Sequence, residues 1–180
     1  GPGQSQTYVI ALTPAAPFAP TDVAFSFAGS NTAPVGKPTG INTLLLSASA
    51  TPVPDIVALA ASGDPGIVDI PGPSGTGVFA VATVNVGATA TITASADTGS
   101  GSPPVSILLC QTNPANGQCI TPLAATVPTQ INGGATPTFG VFVTGTGTVP
   151  FDPANNRIFV RFKDAGGVTR GATSVAVRTQ

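Results

Sequence analysis

The chain has 180 residues, 42% hydrophobic and only 7% charged, with 22 glycines, 19 prolines and a formal net charge of −1. That balance gives no electrostatic footprint for nucleic acid or an anionic membrane surface, and no apolar run approaches the roughly 20 residues a spanning helix needs. The seven acidic residues are all Asp, and His, Met and Trp are absent, so few general acids or bases are at hand and neither a phosphate loop nor a GxSxG elbow occurs.

Small and β-branched residues dominate, which favours strands over helices and points to an all-β protein. So much Gly, Pro and Thr with little charge also fits disorder, but regular apolar alternation along the chain argues for a packed fold. The opening GPGQSQ shows no signal-peptide pattern, and Gly1-Pro2 is either the native sequence or the scar of a removed tag.

In chain order, TYVIAL at 7–12 reads as a strand, TPAAPFAPTD as a Pro-rich corner, and VAFSF at 23–27 as a half-buried strand with Val23, Phe25 and Phe27 on one side. TLLLSAS at 43–49 is the next strand, and TPVPD at 51–55 a linker that breaks any ladder. The pattern then restarts with DIVALAAS, GIVDIP, GVFAVATVNVG and ATITASADT. VSILLC and QCI follow around a short loop, then TVPTQI, TPTFGVFV, NRIFVRF and TSVAVRT. Strand-like runs separated by turn signals every ten residues or so are the pattern of a β-sandwich. The last two runs flank a Gly-rich turn and form the strongest hairpin signal in the chain.

An internal repeat changes the expected architecture. YVIALTPAAPFAPTDVAFSF lies along VFVTGTGTVPFDPANNRIFVRF with a gap of two residues in the turn. Pro17, Phe18, Pro20 and Phe27 then fall on Pro150, Phe151, Pro153 and Phe162, and TLLLSAS follows where TSVAVRT does. Biased composition alone also makes Pro-cornered strand pairs look alike. If the repetition is real, residues 1–52 form an N-terminal β segment holding the last three strands of a unit, suited to strand donation, and residues 53–180 form the complete unit. A division into 7–97 and 98–180 is the alternative, favoured by length per domain.

The segments DIVALAAS, GVFAVATVNVG, TPTFGVFV and the final NRIFVRFKDAGGVTRGATSVAVRT resemble the repeated immunoglobulin-like domains of bacterial secreted and cell-surface proteins. The resemblance covers residues 53–180 and rests on pattern. It implies an antiparallel immunoglobulin-like β-sandwich, with the extra N-terminal β segment, acting outside the cytoplasm as a spacer, adhesive or assembly module without catalytic residues or cofactor. The expected partners are copies of the chain or adjacent repeats, or a surface protein or glycan met through loop tips. Against a glycan stands the lack of Trp and a single Tyr, which leaves little to stack on a sugar ring.

Cys110 and Cys119 bracket QTNPANGQ, whose Asn-Pro and Asn-Gly pairs favour turns. Facing cysteines on so short a hairpin form a structural disulfide, which implies an oxidising compartment; CxxC redox spacing and the His or second Cys pair of a zinc site are missing. Asp55, Asp64, Asp69 and Asp97 could line a weak calcium site between domains, but they are scattered, without a DxDxDG run, and read first as ordinary turn and loop residues.

Charge is segregated: residues 1–97 carry one basic and five acidic residues, a net −4, and residues 98–180 five basic and two acidic, a net +3. In the final hairpin Ile158, Val160 and Phe162 make the core face, turning Arg157, Phe159, Arg161 and Lys163 outward. With Arg170, Arg178 and the N-terminal Tyr8 and Ile10, these form the candidate interface for head-to-tail or strand-sharing contacts, the plainer reading being a solvated strand whose charges deter edge aggregation.

Overall fold

The computed structural model describes residues 5–64 and 66–180, and all its regular elements are strands. Gly1-Pro2 lies outside the described residues. The chain is all-β, as its composition implies. In place of one pair of antiparallel sheets there are three sheets, one of them mixed.

Strands β1 (Phe18–Ala24) and β2 (Thr43–Ala48) pair with each other in a two-stranded sheet. The rest of the chain forms β3 (Ile56–Ala61), β4 (Ile67–Ile70), β5 (Thr76–Asn85), β6 (Ala90–Asp97), β7 (Val105–Thr112), β8 (Thr126–Ile131), β9 (Thr138–Gly145), β10 (Arg157–Lys163) and β11 (Thr169–Thr179). These build a five-stranded sheet in the order β4-β11-β10-β6-β8 and a four-stranded sheet in the order β3-β5-β9-β7. Every pairing is antiparallel except β4 with β11. A boundary near residue 97 would cut through both sheets, since β6 pairs with β10 and β5 with β9.

Two sequence expectations shift. Residues 7–12, read as a strand, join no ladder, because no neighbouring backbone is aligned with them. The Pro-rich corner at Phe18–Pro20 is itself the start of β1, accommodated by a register irregularity between Phe18 and Thr21. Pro128 sits in β8, at the edge of the five-stranded sheet, where a residue without an N–H costs no ladder bond on the open side.

The two large sheets share one core. From β10 and β11, Ile158, Val160, Phe162, Val175 and Val177 point inward and meet Phe79, Val81, Phe139, Val141 and Val143 of the other sheet. The rings of Phe139 and Phe162 stand 5.4 Å apart, tilted by 58°, within the range of favourable aromatic packing. Period-two alternation enforces the register: along β5, Phe79 and Val81 are buried while Val78, Ala80 and Ala82 face out.

Of the polar residues buried among the described ones, Thr83, Asn85, Thr112 and Arg157, Asn85 is the most deeply enclosed. The side chain of Asn85 is fully buried and makes four hydrogen bonds: its Oδ1 accepts from the amides of Asp55 and Gly87, and its Nδ2 donates to the carbonyls of Ala88 and Ile131. It ties the entry to β3, the β5–β6 turn and the end of β8 together, which an apolar residue could not do. Gly171 of β11 lies against the Ile56 carbonyl so closely that a Cβ would collide with it, so only Gly lets β3 and β11 touch there.

Phe162→Ala removes the largest inward side chain of β10 and should destabilise the fold by about 3–5 kcal/mol in urea unfolding; a loss below about 1 kcal/mol would contradict this placement of the core.

Candidate interaction surfaces

The outward side of β10 and β11 follows from the inward one. With Ile158, Val160 and Phe162 buried, strand alternation turns Arg157, Phe159 and Arg161 to the far side of the sheet. Their surroundings differ from those of a solvated strand. Arg157 is only 7% exposed; it donates to the Pro153 carbonyl at 2.9 Å, to Ser174 Oγ at 2.8 Å and to the Gly40 carbonyl at 3.3 Å. Burial pushes its pKa down from the ordinary value, yet an arginine keeps its charge. Phe159 is covered by Gly40 and Gly99, at both of which a Cβ would strike the ring.

Gly40 adopts φ of +80° in the loop leading into β2, a conformation glycine takes without cost. Its carbonyl accepts from Arg157 and from Ser174 Oγ at 3.1 Å. Among the described residues, the hydrogen bonds joining residues 5–52 to the rest of the chain converge on this one oxygen.

The other arginines are paired within the chain. Arg161 Nε bonds Asp97 at 2.7 Å and its guanidinium lies 4.9 Å from the centre of the Phe159 ring. Arg170 Nε bonds Asp164 at 2.7 Å. Arg178 bonds Asp69 at 2.6 Å and Asp64 at 3.2 Å, and covers Phe151 at 5.1 Å. The hydrogen bond from Arg178 to Asp69, with the charges of both carboxylates, raises the arginine's pKa. Lys163 makes no ion pair among the described residues, but its charge helps lower the pKa of Asp97.

The segregated charge thus meets itself. Acidic β4 and β6 flank basic β11 and β10, with Asp69 opposite Arg178 in register. Of the four scattered aspartates, Asp64, Asp69 and Asp97 are engaged by arginines, and no three metal-ligating side chains converge among the described residues.

Two surfaces remain apolar and unpaired. Tyr8 and Ile10 are exposed, and none of residues 5–55 is buried. The outer face of the four-stranded sheet, not singled out from the sequence, exposes Val57, Leu59, Val78 and Leu108. Val78 lies beside Phe142 and Phe142 beside Leu108 in register. No charged residue occurs in β3, β5, β7 or β9. Alternation identifies this face in retrospect: the residues between the buried positions of GVFAVATVN are apolar where a solvated face would be polar.

Cys110, fully buried at the end of β7, is bonded to Cys119, with their Cα atoms 5.6 Å apart. The bond closes a loop of the turn type expected, in which Asn113 accepts from the Ala115 amide and Asn116 from that of Gln118. No protein-family model matches the chain, and none of the curated proteins is similar enough to match it.

Two outcomes follow. The disulfide spans nine residues of sequence separation, so reduction should cost about 2–3 kcal/mol by chain entropy in denaturant unfolding with and without reductant; unchanged stability would contradict that estimate. Partial burial of Asp97 acts to raise its pKa, but the bond from Arg161, the Gly99 amide and the charges of Arg161 and Lys163 outweigh it and hold the carboxyl below its usual value. A depressed folded pKa means stabilisation present above the unfolded value of about 4 and lost as pH falls through the folded one. Asp97→Asn should therefore lose less stability on acidification from about pH 5 to pH 2 than the unaltered chain; equal losses would mean that the pair contributes nothing.

Proposed function

We propose that the chain is a non-catalytic structural or assembly module of an extracellular bacterial surface protein or filament, acting through the packing of immunoglobulin-like β-sheets. The order of neighbours in its two large sheets supports the immunoglobulin-like part. β3, β5, β9 and β7 sit as strands A, B, E and D do in that fold, and β11, β10, β6 and β8 as G, F, C and C′. β4 runs parallel to β11 at the sheet edge. The chain visits the D-like position before the C′-like one, a departure in connection rather than in neighbourhood. The single disulfide favours an oxidising compartment.

Assembly is supported by the uncharged outer face of the four-stranded sheet, where Leu59 is 70% exposed on β3 beside Val57, and Val78 and Leu108 are exposed further across it on β5 and β7. Exposed apolar surface on a sheet face marks association. A contact between this face and a different surface of the next copy is heterologous and open-ended. The ion pairs on β10 and β11, satisfied internally, leave apolar contact as the driving term.

Size-exclusion chromatography with light scattering should give masses that rise through a series of oligomers as concentration increases. The pair Leu59→Lys and Val78→Lys should shift the series to monomer while circular dichroism stays that of a β protein. A monomer at every concentration for the unaltered chain would overturn the assembly reading.

A further inference from the structure

The repeat and the exposure of residues 8–48 together identify what the N-terminal surface takes. In the alignment Tyr8 and Ile10 correspond to Val141 and Val143 of β9, and Val23, Phe25 and Phe27 to Ile158, Val160 and Phe162 of β10. Both hairpins set an apolar pair at the matched position, Val23 facing Leu44 across β1–β2 and Ile158 facing Val175 across β10–β11, although the register is offset by one residue, since Leu44 aligns with Ser174. Phe27 and its counterpart Phe162 each touch an aromatic ring, Tyr8 at 6.3 Å and Phe139 at 5.4 Å, though from different positions of the preceding segment. Exposure is opposite. Tyr8, Ile10 and Phe27 are 66%, 53% and 41% exposed, and their counterparts Val141, Val143 and Phe162 are all at 0%.

The complete unit shows what removes that exposure. There β10 is flanked by β6 and β11 by β4, and Val68, Ile70, Ile92 and Ala94 from those strands join Phe79 and Val81 in the core. The N-terminal hairpin has neither neighbour: β1 and β2 pair with each other alone. A two-stranded hairpin with one apolar face buries too little surface to be stable unaided.

We infer that the open face formed by Tyr8, Ile10, Val23, Phe25, Phe27 and Leu44 is the incomplete core of a second unit. Its occupant is a six-strand segment of the same repeat type, equivalent to β3–β8, whose β6-like strand pairs along β1 and whose β4-like strand pairs along β2. This names a partner for the N-terminal surface and does not depend on the sheet-face association proposed above, since it is read in a monomer.

The chain has one tyrosine, at position 8, and no tryptophan, so its intrinsic fluorescence reports this face alone. The test places a copy of residues 53–137 directly ahead of Ser5 in the full chain, which reproduces the spacing of the complete unit. Acrylamide quenching of Tyr8 should fall several-fold relative to the unextended chain, and Phe27→Asp in the extended chain should restore it. A scrambled extension of the same composition serves as control. Three results would overturn the inference: Tyr8 as quenchable with the extension as without it, folded or not; equal protection by the scrambled extension; or concentration-dependent protection in the unextended chain, which would make a second copy the occupant.

Discussion

The structure depends on one constraint, the inward alternation of β10 and β11 against β5 and β9. Ile158, Val160, Phe162, Val175 and Val177 meet Phe79, Val81, Phe139, Val141 and Val143 with almost no solvent access. Because a one-residue slip would turn every side chain to the opposite face, this set also dictates what lies outside. Arg157, Phe159 and Arg161 are outward because their neighbours are inward. The close contact of β3 with β11 at Gly171 and the four bonds of Asn85 then fix the edges around that core.

The charges follow the same logic. Strands from the acidic first half of the chain flank strands from the basic second half, so Asp97 reaches Arg161 and Asp69 reaches Arg178. A segregation that looks in sequence like a device for docking one molecule on another is spent inside one molecule. Arg157 differs in kind: it is held by carbonyls and a hydroxyl rather than a carboxylate, and one of those carbonyls belongs to the N-terminal segment at Gly40. A buried cation is costly unless its N–H groups find acceptors, and the Gly40 carbonyl of the N-terminal segment is one of those acceptors.

Strand alternation made β2 to β11, the core face of β10 and the Cys110–Cys119 bond legible, because local period and turn chemistry carry those features. TYVIAL has the same local pattern and forms no strand, since a ladder needs a neighbour and local pattern does not supply one. The ion pairs, the Gly40 contact and the role of Asn85 are products of long-range pairing that no local window contains. The open face of the four-stranded sheet was present in the sequence as apolar residues at every other position of GVFAVATVN, but it resembles a two-sided buried strand until the sheet order is known.

Residues 53–180 hold a closed core, while residues 5–50 present an open one hydrogen-bonded to it at Gly40. Native-state amide hydrogen exchange on the full chain, at a concentration where it is monomeric, separates the two. Exchange should be slow throughout β5, β9, β10 and β11, approaching the global unfolding limit, and faster by orders of magnitude in β1 and β2. Equal protection of β1, β2 and the core strands would show instead that the N-terminal segment folds as one cooperative body with the rest.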